Sequence, residues 1–467
     1  MTRRSCKGCR ERAAEIARLE ARITALEEKL AAAQKNSATS SKPPSSDIVK
    51  PPPSPTDADA GQRSAGGQPG HPQHQRQPFP PEQISHFADH LLTACPACGG
   101  GLRRNAHYAR VVQQVDIERP PLTIEQHTSP EYWCDHCQRS FKAPMPSIIE
   151  KGGLVGPQLT ALIAYLKGAC HASFSTIRRF LRDVVGVTIS RSELSKVLGK
   201  VTAALQEPYE ELLRALPDEA VVNVDETGHK DNGDKWWTWC FRAELYTLYR
   251  IDAYRNAEVL METLGQEFAG VLGCDYFSAY RRYLRECSVC LQFCLAHLIR
   301  DVKFLTTLPD ARDRQYGERL RLALKKLFAV FHQRDELSAN IFQARLQAAR
   351  ERVLQAGLRQ VPPTRYGQNM AERFRKHGEA YFTFITVSGV EPTNNLAEQA
   401  IRFVVIDRHI TQGTRSAGGR HWSERIWTVI ATCVQQGKSV YQYLCAATAS
   451  WFAQEPAPSL LAGGEQR

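Results

Sequence analysis

Two short apolar runs that each end in an aspartate constrain the fold of this 467-residue chain more than any other feature. Residues 221–224 (Val-Val-Asn-Val) lead into Asp225, and residues 271–274 (Val-Leu-Gly-Cys) lead into Asp275. Short apolar runs rich in β-branched residues are typical of buried strands. They predict a sheet with an aspartate at the end of each of two strands. The alternative for either aspartate alone is a turn or a helix cap.

The segments around these runs predict the order of the elements. Three consecutive strands come first, then a helix, the strand before Asp275, a second helix and a last strand. The expected strands cover residues 221–225, 235–242, 245–251, 271–275 and 289–293, and the expected helices cover about 257–268 and 279–286.

A third acid, Glu398, lies in a predicted helix start. Asn394 and Asn395 precede it; both are residue types that cap helix N-termini, and both are candidates to reach a scissile phosphate. Arg402 follows four residues later on the same helical face, where it is expected to pair with DNA phosphate or with Glu398 itself. Carboxylates from two strands and a helix offer the oxygen ligands that Mg²⁺ prefers. Such a trio can hold two Mg²⁺ ions about 3.5–4 Å apart for phosphoryl transfer.

The chain closely resembles the DDE transposases of the insertion-sequence-sixty-six family in four short sequence motifs that occur in the same order. They are Val-Asp-Glu-Thr (224–227), Asp-Tyr-Phe-Ser-Ala-Tyr (275–280), Cys-Leu-Ala-His (294–297) and Glu-Pro-Thr-Asn-Asn-Leu-Ala-Glu-Gln-Ala-Ile-Arg (391–402). The resemblance implies a ribonuclease-H-like core in which Asp225, Asp275 and Glu398 form the acidic triad and hold two Mg²⁺ ions. Arg408-His409 stands where family members commonly carry Arg-Lys. Arg408 is a candidate DNA contact, and His409 departs from the family pattern.

Charge and hydropathy agree with a DNA-binding protein. The net charge of +11 and the pI near 9.0 favour a polyanionic partner, since Lys and Arg replace the counterions condensed on DNA. No apolar segment follows the first basic residues, and no apolar stretch reaches the roughly 20 residues of a membrane span. The expected location is therefore the cytoplasm, associated with the nucleoid when bound to DNA, with no membrane contact.

The expected fold class is α+β and multidomain, a ribonuclease-H-like core interrupted by an all-α insertion. The predicted order is a Cys-x-x-Cys and short coiled coil (1–35), a flexible Ser/Pro/Gly linker (36–80), a zinc ribbon (81–150), a helix-turn-helix-like module (151–216), the first part of the core (217–300), a helical insertion (301–385), the Glu398 helix with the rest of the core (386–450) and a tail (451–467).

Two Cys-x-x-Cys pairs predict one structural Zn²⁺ site. Cys95 and Cys98 form the first pair, and Cys134 and Cys137 form the second. Four thiolates complete a tetrahedral zinc shell, which leaves no open position for catalysis. Strands are expected between the pairs at 108–118 and 122–124. Redox-active cysteines are the alternative.

Residues 16–33 show a heptad pattern with isoleucine and leucine at the two core positions, typical of a parallel two-stranded coil. A monomeric amphipathic helix packed on its own core is the alternative. Cys6 and Cys9 precede the heptad segment. They are either half of a metal site shared between two chains or two free thiols.

The segment before the core predicts a helix-turn-helix. One helix is expected to end near Gly186, and Ser190 with Glu193 forms a capping box for the next helix. Arg178, Arg179 and Arg191 are candidate phosphate contacts, which position a protein without reading sequence. The alternative is a helical hairpin that supports the core.

Residues about 300–380 are rich in helix formers and account for the long gap between Asp275 and Glu398. Just before them lie three cysteines and a histidine with spacing that permits a second zinc site: Cys287, Cys290, Cys294 and His297. Buried thiols are favoured, because free cysteine is among the most buried residue types. The resemblance makes His297 a secondary candidate near the active site.

The predicted function is that of a transposase that binds the terminal inverted repeats of its own element and cuts and joins DNA strands. Pairing two ends requires a homodimer or a larger assembly on DNA, with target DNA as a further partner and accessory proteins of the same element implied by the resemblance. The alternative is a DNA-binding regulator derived from such a transposase with an inert catalytic fold. A third class is a structural scaffold stabilised by zinc, whose function would not depend on DNA.

Overall fold

The structure, a computed structural model, describes residues 7–36, 39, 79–84, 97–98, 100, 122–129, 131–142 and 144–461. Contacts divide the chain into two units, residues 52–126 and residues 1–51 with 127–467. Cys6, Cys95, the strand predicted at 108–118 and most of the predicted linker lie outside the described residues.

The helices and strands are numbered in chain order. The helices are α1 (Lys7–Ala33), α2 (Ser147–Gly152), α3 (Pro157–Gly168), α4 (Phe174–Phe180), α5 (Arg191–Ala204), α6 (Gln206–Ala215), α7 (Ala257–Leu264), α8 (Ser278–Cys287), α9 (Leu295–Leu305), α10 (Ala311–Phe331), α11 (Ala339–Leu358), α12 (Arg365–His377), α13 (Thr383–Thr386), α14 (Asn395–Thr411), α15 (Ala417–Gln435) and α16 (Val440–Ala453). The strands are β1 (Glu131–Cys134), β2 (Arg139–Lys142), β3 (Val221–Asp231), β4 (Asp234–Arg242), β5 (Thr247–Asp252), β6 (Val271–Cys274) and β7 (Cys290–Phe293).

Five strands form the central sheet in the order β5-β4-β3-β6-β7. The first three pair antiparallel, while β6 pairs parallel with β3 and β7 pairs parallel with β6. Asn232 and Gly233 connect β3 to β4, both with positive φ, as a two-residue hairpin turn requires. The strand and helix order predicted for residues 221–293 is confirmed, although β3 runs six residues past Asp225.

Helix α15 covers the edge of the sheet at β5. Its side chains accept hydrogen bonds from alternate backbone N–H groups of that strand: Thr432 from Thr247 over 3.2 Å and Thr428 from Tyr249 over 3.0 Å. Glu424 accepts from the Ile251 N–H over 2.7 Å. Steps of four residues on a helix advance about 6 Å and steps of two on a strand about 6.6 Å, so the two periods match. The exposed edge is thereby blocked against pairing with another chain.

Helices α2–α6 precede the sheet and pack partly on α15 and α16. Ser173 caps α4 and Ser190 caps α5, each side chain accepting from the N–H three residues on. A single π-helical turn, Leu181–Val185, continues α4 and ends at Gly186, whose φ is +87°. The predicted helix end and the predicted Ser190 cap are therefore confirmed.

Helices α10–α13 lie in the chain between β7 and α14, which confirms the helical character predicted for residues about 300–380. Helices α10 and α11 pack along each other, and their leucines and small residues join the core of the protein.

The strand predicted at 122–124 is wrong, because residues 122–129 have no regular structure and Ile124 is 89% exposed. The ribbon-like element instead follows, as the hairpin β1–β2 in which Glu131 pairs with Lys142 and Cys134 with Arg139. Prolines at 120 and 121 directly before the predicted strand lack the N–H that a ladder uses.

Candidate active site

The parallel pairing of β3 with β6 aligns the first two acids. Asn223 lies opposite Gly273 in that ladder, and two residues further along come Asp225 and Asp275. Neighbouring strands lie about 4.8 Å apart, and residues two apart share a face. The two carboxylates therefore start side by side. Gly273 leaves room for the Asn223 side chain in this register, since a Cβ there would lie 2.4 Å from Asn223 Oδ1 and would force that side chain to move.

Glu398 is brought to the same place by the start of α14. Asn394 Nδ2 donates to Val224 O over 2.7 Å, directly before Asp225 in the strand. Asn394 also donates its backbone N–H to Cys294 Sγ over 3.2 Å. The predicted capping role of Asn394 and Asn395 is wrong: Asn394 holds the N-cap position without a side-chain cap, and Asn395 is the first helical residue. The Asn394 amide ties the helix to β3 instead.

The three acids repel one another. Burial raises the pKa of Asp225 well above its ordinary value, and the charges of Glu226, Asp275 and Glu398 raise it further. Burial and Glu226 raise the pKa of Asp275 to about 6. Each of the two aspartates also accepts one backbone hydrogen bond, from Glu226 N over 2.9 Å and from Phe277 N over 2.8 Å. A site that disfavours its own negative charge is suited to bind cations.

Glu226 is a fourth buried acid that sequence reasoning missed. Its side chain is 2% exposed and pairs with Arg255 over 2.5 Å, and the Tyr280 hydroxyl donates to its other oxygen. The Arg255 guanidinium lies 3.9 Å from the Phe277 ring centroid and 4.7 Å from that of Trp237. The only signal for Glu226 in the sequence is its position directly after Asp225. Glu226 therefore has an ion partner within the protein, although its charge still raises the pKa of Asp225 and Asp275.

Glu398 faces α9. Its carboxylate lies 3.6 Å from His297 Nδ1 and 3.7 Å from the Arg300 guanidinium. Of the two partners predicted for Arg402, Glu398 is not paired with it among the described residues. Burial lowers the pKa of His297. Cys294 joins His297 and Glu398, with all three ligating atoms within 4.8 Å of one another.

The zinc site considered for three cysteines and His297 is not assembled. Cys290 begins β7 and is exposed, whereas Cys294 follows the other end of that strand and is buried. A four-residue strand separates them by about 13 Å. Cys287 is partly buried at the end of α8. Only Cys294 and His297 of the four reach the acidic cluster.

The arginines predicted to contact DNA lie in different settings. Arg178 donates to Ile189 O over 3.0 Å and Arg191 donates to Ser175 Oγ over 2.7 Å, so both brace the α4–α5 connection. Arg179 and Arg402 are exposed. Arg408 is partly buried and donates to Thr227 Oγ1 over 2.9 Å and to Gly228 O.

A cavity of about 1010 Å³ lies between the α3–α5 module and the α14–α15 connection. Arg191, Arg415 and Lys167 bring positive charge to its lining, and Trp422 brings an aromatic ring. His171 and Asp407, which pair over 2.9 Å, lie on its wall.

Of the predicted zinc ligands, Cys98 and Cys137 are exposed. Cys134 ends β1 and Cys137 lies in the turn that follows, so this pair occupies the tip of the β1–β2 hairpin. In that turn Gln138 has a φ of +52° and its side chain donates to Asp135 O over 2.6 Å.

Comparison with known proteins identifies the family. Residues 152–421 match the model of the Transposase IS66 family, which is more than half of the chain. The chain belongs to the IS66 transposase family. Residues 8–77 match a second model, a family of unknown function named DUF6444.

Two relatives from Sinorhizobium fredii (strain NBRC 101917 / NGR234) are similar over most of their length. The uncharacterized protein y4hP is 24% identical over 73% of this chain and 67% of its own. The uncharacterized protein y4qI is 23% identical over 82% of this chain and 75% of its own.

No helix in the described part of the IS66-family chain is long and apolar enough to cross a membrane.

Proposed function

We propose that this IS66-family protein is a DDE transposase that cleaves and joins DNA strands by metal-dependent phosphoryl transfer. Asp225, Asp275 and Glu398 would hold two Mg²⁺ ions. The observation that carries the proposal is the register of β3 and β6, which starts two carboxylates side by side. Burial there, together with the charge of Glu226, raises the pKa of both. The strand order, three antiparallel strands followed by two parallel ones, is that expected of a ribonuclease-H-like core.

The residues present fit divalent metal ions. The donors are carboxylate oxygens, which Mg²⁺ prefers, and one of them, Glu398 Oε1, is buried without a hydrogen-bond partner among the described residues. When bound, a pair of such ions lowers the cost of charge on the attacking and leaving oxygens of the phosphodiester. The chain's own part is to hold the carboxylates rigidly: the Asn394 bond to Val224 O fixes Glu398 relative to Asp225.

DNA would be held by positive charge around this centre. Arg402 and Asn395 are exposed on α14 beside Glu398, and Arg179 and Arg191 extend the positive surface to the α4–α5 module. Arg408 is best placed to act indirectly, by bracing β3 at Thr227 and Gly228. Terminal inverted repeats and target DNA are the proposed ligands.

Helix α1 would join two chains. Its five heptad residues Ile16, Leu19, Ile23, Leu26 and Leu30 are each 47–58% exposed, so this stripe is not packed on the rest of the described chain. Pairing with a second α1 as a parallel coil removes those side chains from water. The same arrangement places two DNA-binding modules in one particle.

The four cysteines Cys95, Cys98, Cys134 and Cys137 would hold a structural Zn²⁺ that supports recognition of the element end. Removing the metal with a chelator should unfold this segment and weaken binding to the end. End affinity that survives zinc removal and unfolding of residues 95–137 would refute the role.

Strand cleavage of a labelled element end tests the catalytic proposal. Purified protein should nick the end with Mg²⁺ and not with EDTA, and Asp225→Asn should bind the end with unchanged affinity and fail to nick it. Asp218→Asn, which alters an exposed carboxylate shortly before the same strand, is the matched control and should nick normally. Tight end binding without cleavage by the wild type in Mg²⁺ would contradict the enzyme and favour a regulator with an inert catalytic fold.

A further inference from the structure

Three donors of different chemistry meet at the edge of the acidic cluster, two on buried residues and one on Glu398, whose side chain is 20% exposed. Cys294 directly precedes α9, His297 lies in the first turn of that helix, and Glu398 lies in the first turn of α14. Their Sγ, ring nitrogen and carboxylate oxygen lie within 4.8 Å of one another. Cys294 is 1% exposed and His297 is 7% exposed.

Two of these donors lack partners. His297 Nδ1 and Glu398 Oε1 are buried and make no hydrogen bond to any described residue, although they face each other over 3.6 Å. Leaving a buried polar atom unsatisfied costs about 1–3 kcal/mol. Two such atoms 3.6 Å apart are suited to bind one metal ion, which accepts an electron pair from each. Cys294 Sγ is a third electron-pair donor, and it accepts the backbone N–H of Asn394 over 3.2 Å and further hydrogen bonds from the backbone of Ala296 and His297.

The chemistry of the set selects the ion. Thiolate, imidazole and carboxylate together are typical Zn²⁺ ligands, at about 2.3, 2.0 and 2.1 Å from the metal. Mg²⁺ takes oxygen ligands and does not favour sulfur. Donors in a tetrahedral zinc shell lie about 3.5 Å apart, so the observed spacing needs to close by about 1 Å. Water would supply the fourth ligand.

We propose that Cys294, His297 and Glu398 form a Zn²⁺ site that competes with Mg²⁺ for Glu398 and holds the transposase inactive. On binding, the Cys294 thiol releases its proton to solvent, the imidazole binds in its neutral form and Glu398 binds as the carboxylate. Arg300 stays beside the other Glu398 oxygen, 3.7 Å away. Glu398 is then withdrawn from Asp225 and Asp275. The inhibition rests on the proposed function, whereas the binding of the ion does not.

Cobalt binding tests the site directly. Co²⁺ substitutes for Zn²⁺ and gives a charge-transfer absorption when bound to thiolate. Full-length protein stripped of metal and saturated with Co²⁺ should bind one more thiolate-bound ion than Cys294→Ser does, seen as a larger charge-transfer absorption. Cys294→Ser, which keeps an acceptor for the Asn394 N–H, should lose that part of the absorption. His297→Gln should lower the affinity for Co²⁺ by about tenfold or more. Cys433→Ser removes another fully buried thiol and is the matched control, expected to behave as the wild type.

An activity arm tests the competition. Micromolar Zn²⁺ should inhibit Mg²⁺-dependent nicking by the wild type and by Cys433→Ser, while Cys294→Ser should need about tenfold more Zn²⁺ or above for the same inhibition. Equal cobalt absorption in Cys294→Ser and wild type, or equal inhibition of both, would overturn the site. Cobalt binding to a wild type that never nicks DNA would instead count against the proposed function, and leave the metal site standing.

Discussion

Replacing Asp275 with asparagine is expected to stabilise the metal-free protein at neutral pH. Burial and the neighbouring Glu226 raise the pKa of Asp275 from its ordinary 3.8 to about 6, so its charged form is disfavoured in the fold. Asparagine has nearly the same shape, and its Oδ1 can still accept from the Phe277 N–H, which donates to the carboxylate over 2.8 Å. The change removes a repelled charge and keeps the local backbone contact.

Proton linkage gives the sign and the size of the effect. Because the folded protein binds this proton more tightly than the unfolded chain, its stability falls as the pH rises from 3.8 through about 6. A shift of about two pKa units corresponds to about 3 kcal/mol. Proton uptake by Asp225 and solvent at the rim of the site relieve part of this, so we expect a gain of about 1–3 kcal/mol. For a folded region of this size that is about 2–5 °C in Tm.

Thermal unfolding in EDTA between pH 4 and pH 8 measures the effect. The difference between Asp275→Asn and wild type should be near zero at pH 4 and should reach its full value by pH 7. Asp301→Asn is the contrasting control, since Asp301 pairs with Arg373 over 2.7 Å and its loss should lower stability at pH 7. Added Mg²⁺ should raise the Tm of the wild type more than that of Asp275→Asn. A variant that is less stable than wild type at pH 7 in EDTA, or a difference independent of pH, would refute the reasoning.

Three further substitutions have expected outcomes. Asn394→Ala leaves Val224 O buried without its partner, so it should lower the unfolding free energy by about 1–3 kcal/mol in a denaturant titration and abolish nicking; normal nicking would show that Glu398 needs no such tie. Gly273→Ala places a Cβ 2.4 Å from Asn223 Oδ1, which should cost about 1–3 kcal/mol and reduce Mg²⁺ affinity in calorimetry, whereas an unchanged affinity would mean that the strand register tolerates a shift. Leu26→Asp puts a charge into the exposed stripe of α1 and should convert dimers to monomers in light scattering, an outcome that Ala25→Asp, which adds the same charge on the outer face of the helix, should not share.

The acids on the strands were predictable because their signals are local. A short β-branched run bounded by turn residues favours a buried strand on its own sequence. The two runs pair in parallel with Asn223 opposite Gly273, so Asp225 and Asp275, 50 residues apart, follow at the same level. The Ser190 cap was predictable for the same reason, since it depends on residues three apart.

The partners of those acids were not predictable, since they come from distant parts of the chain. Glu226 would be assigned to the opposite face of β3 by strand alternation, yet Arg255 and Tyr280 enclose it and its charge acts on Asp225. Arg300 reaches Glu398 from another helix. The Asn394 prediction failed because capping competes with a tertiary bond to Val224 O, which the sequence near Asn394 does not reveal.

The distribution of counter-charges distinguishes the acids that need metal from those that do not. Glu226 has Arg255 and Glu398 has Arg300, whereas no Lys, Arg or His in the described chain forms an ion pair with Asp225 or Asp275. Arg255 and Arg373 lower the pKa of Asp275 from a distance, yet it stays raised. A buried pair of carboxylates without an ion partner in contact is unfavourable unless a proton or a metal ion supplies positive charge. Since burial raises both pKa values, the metal-free site is expected to hold a proton near neutral pH and to release it when cations bind. Proton release on Mg²⁺ addition, measured by calorimetry in buffers of different ionisation enthalpy, should therefore be seen in the wild type and be lost in Asp225→Asn, which removes the carboxyl whose pKa is raised more. Metal binding by the wild type without proton release would mean that the two aspartates are already charged.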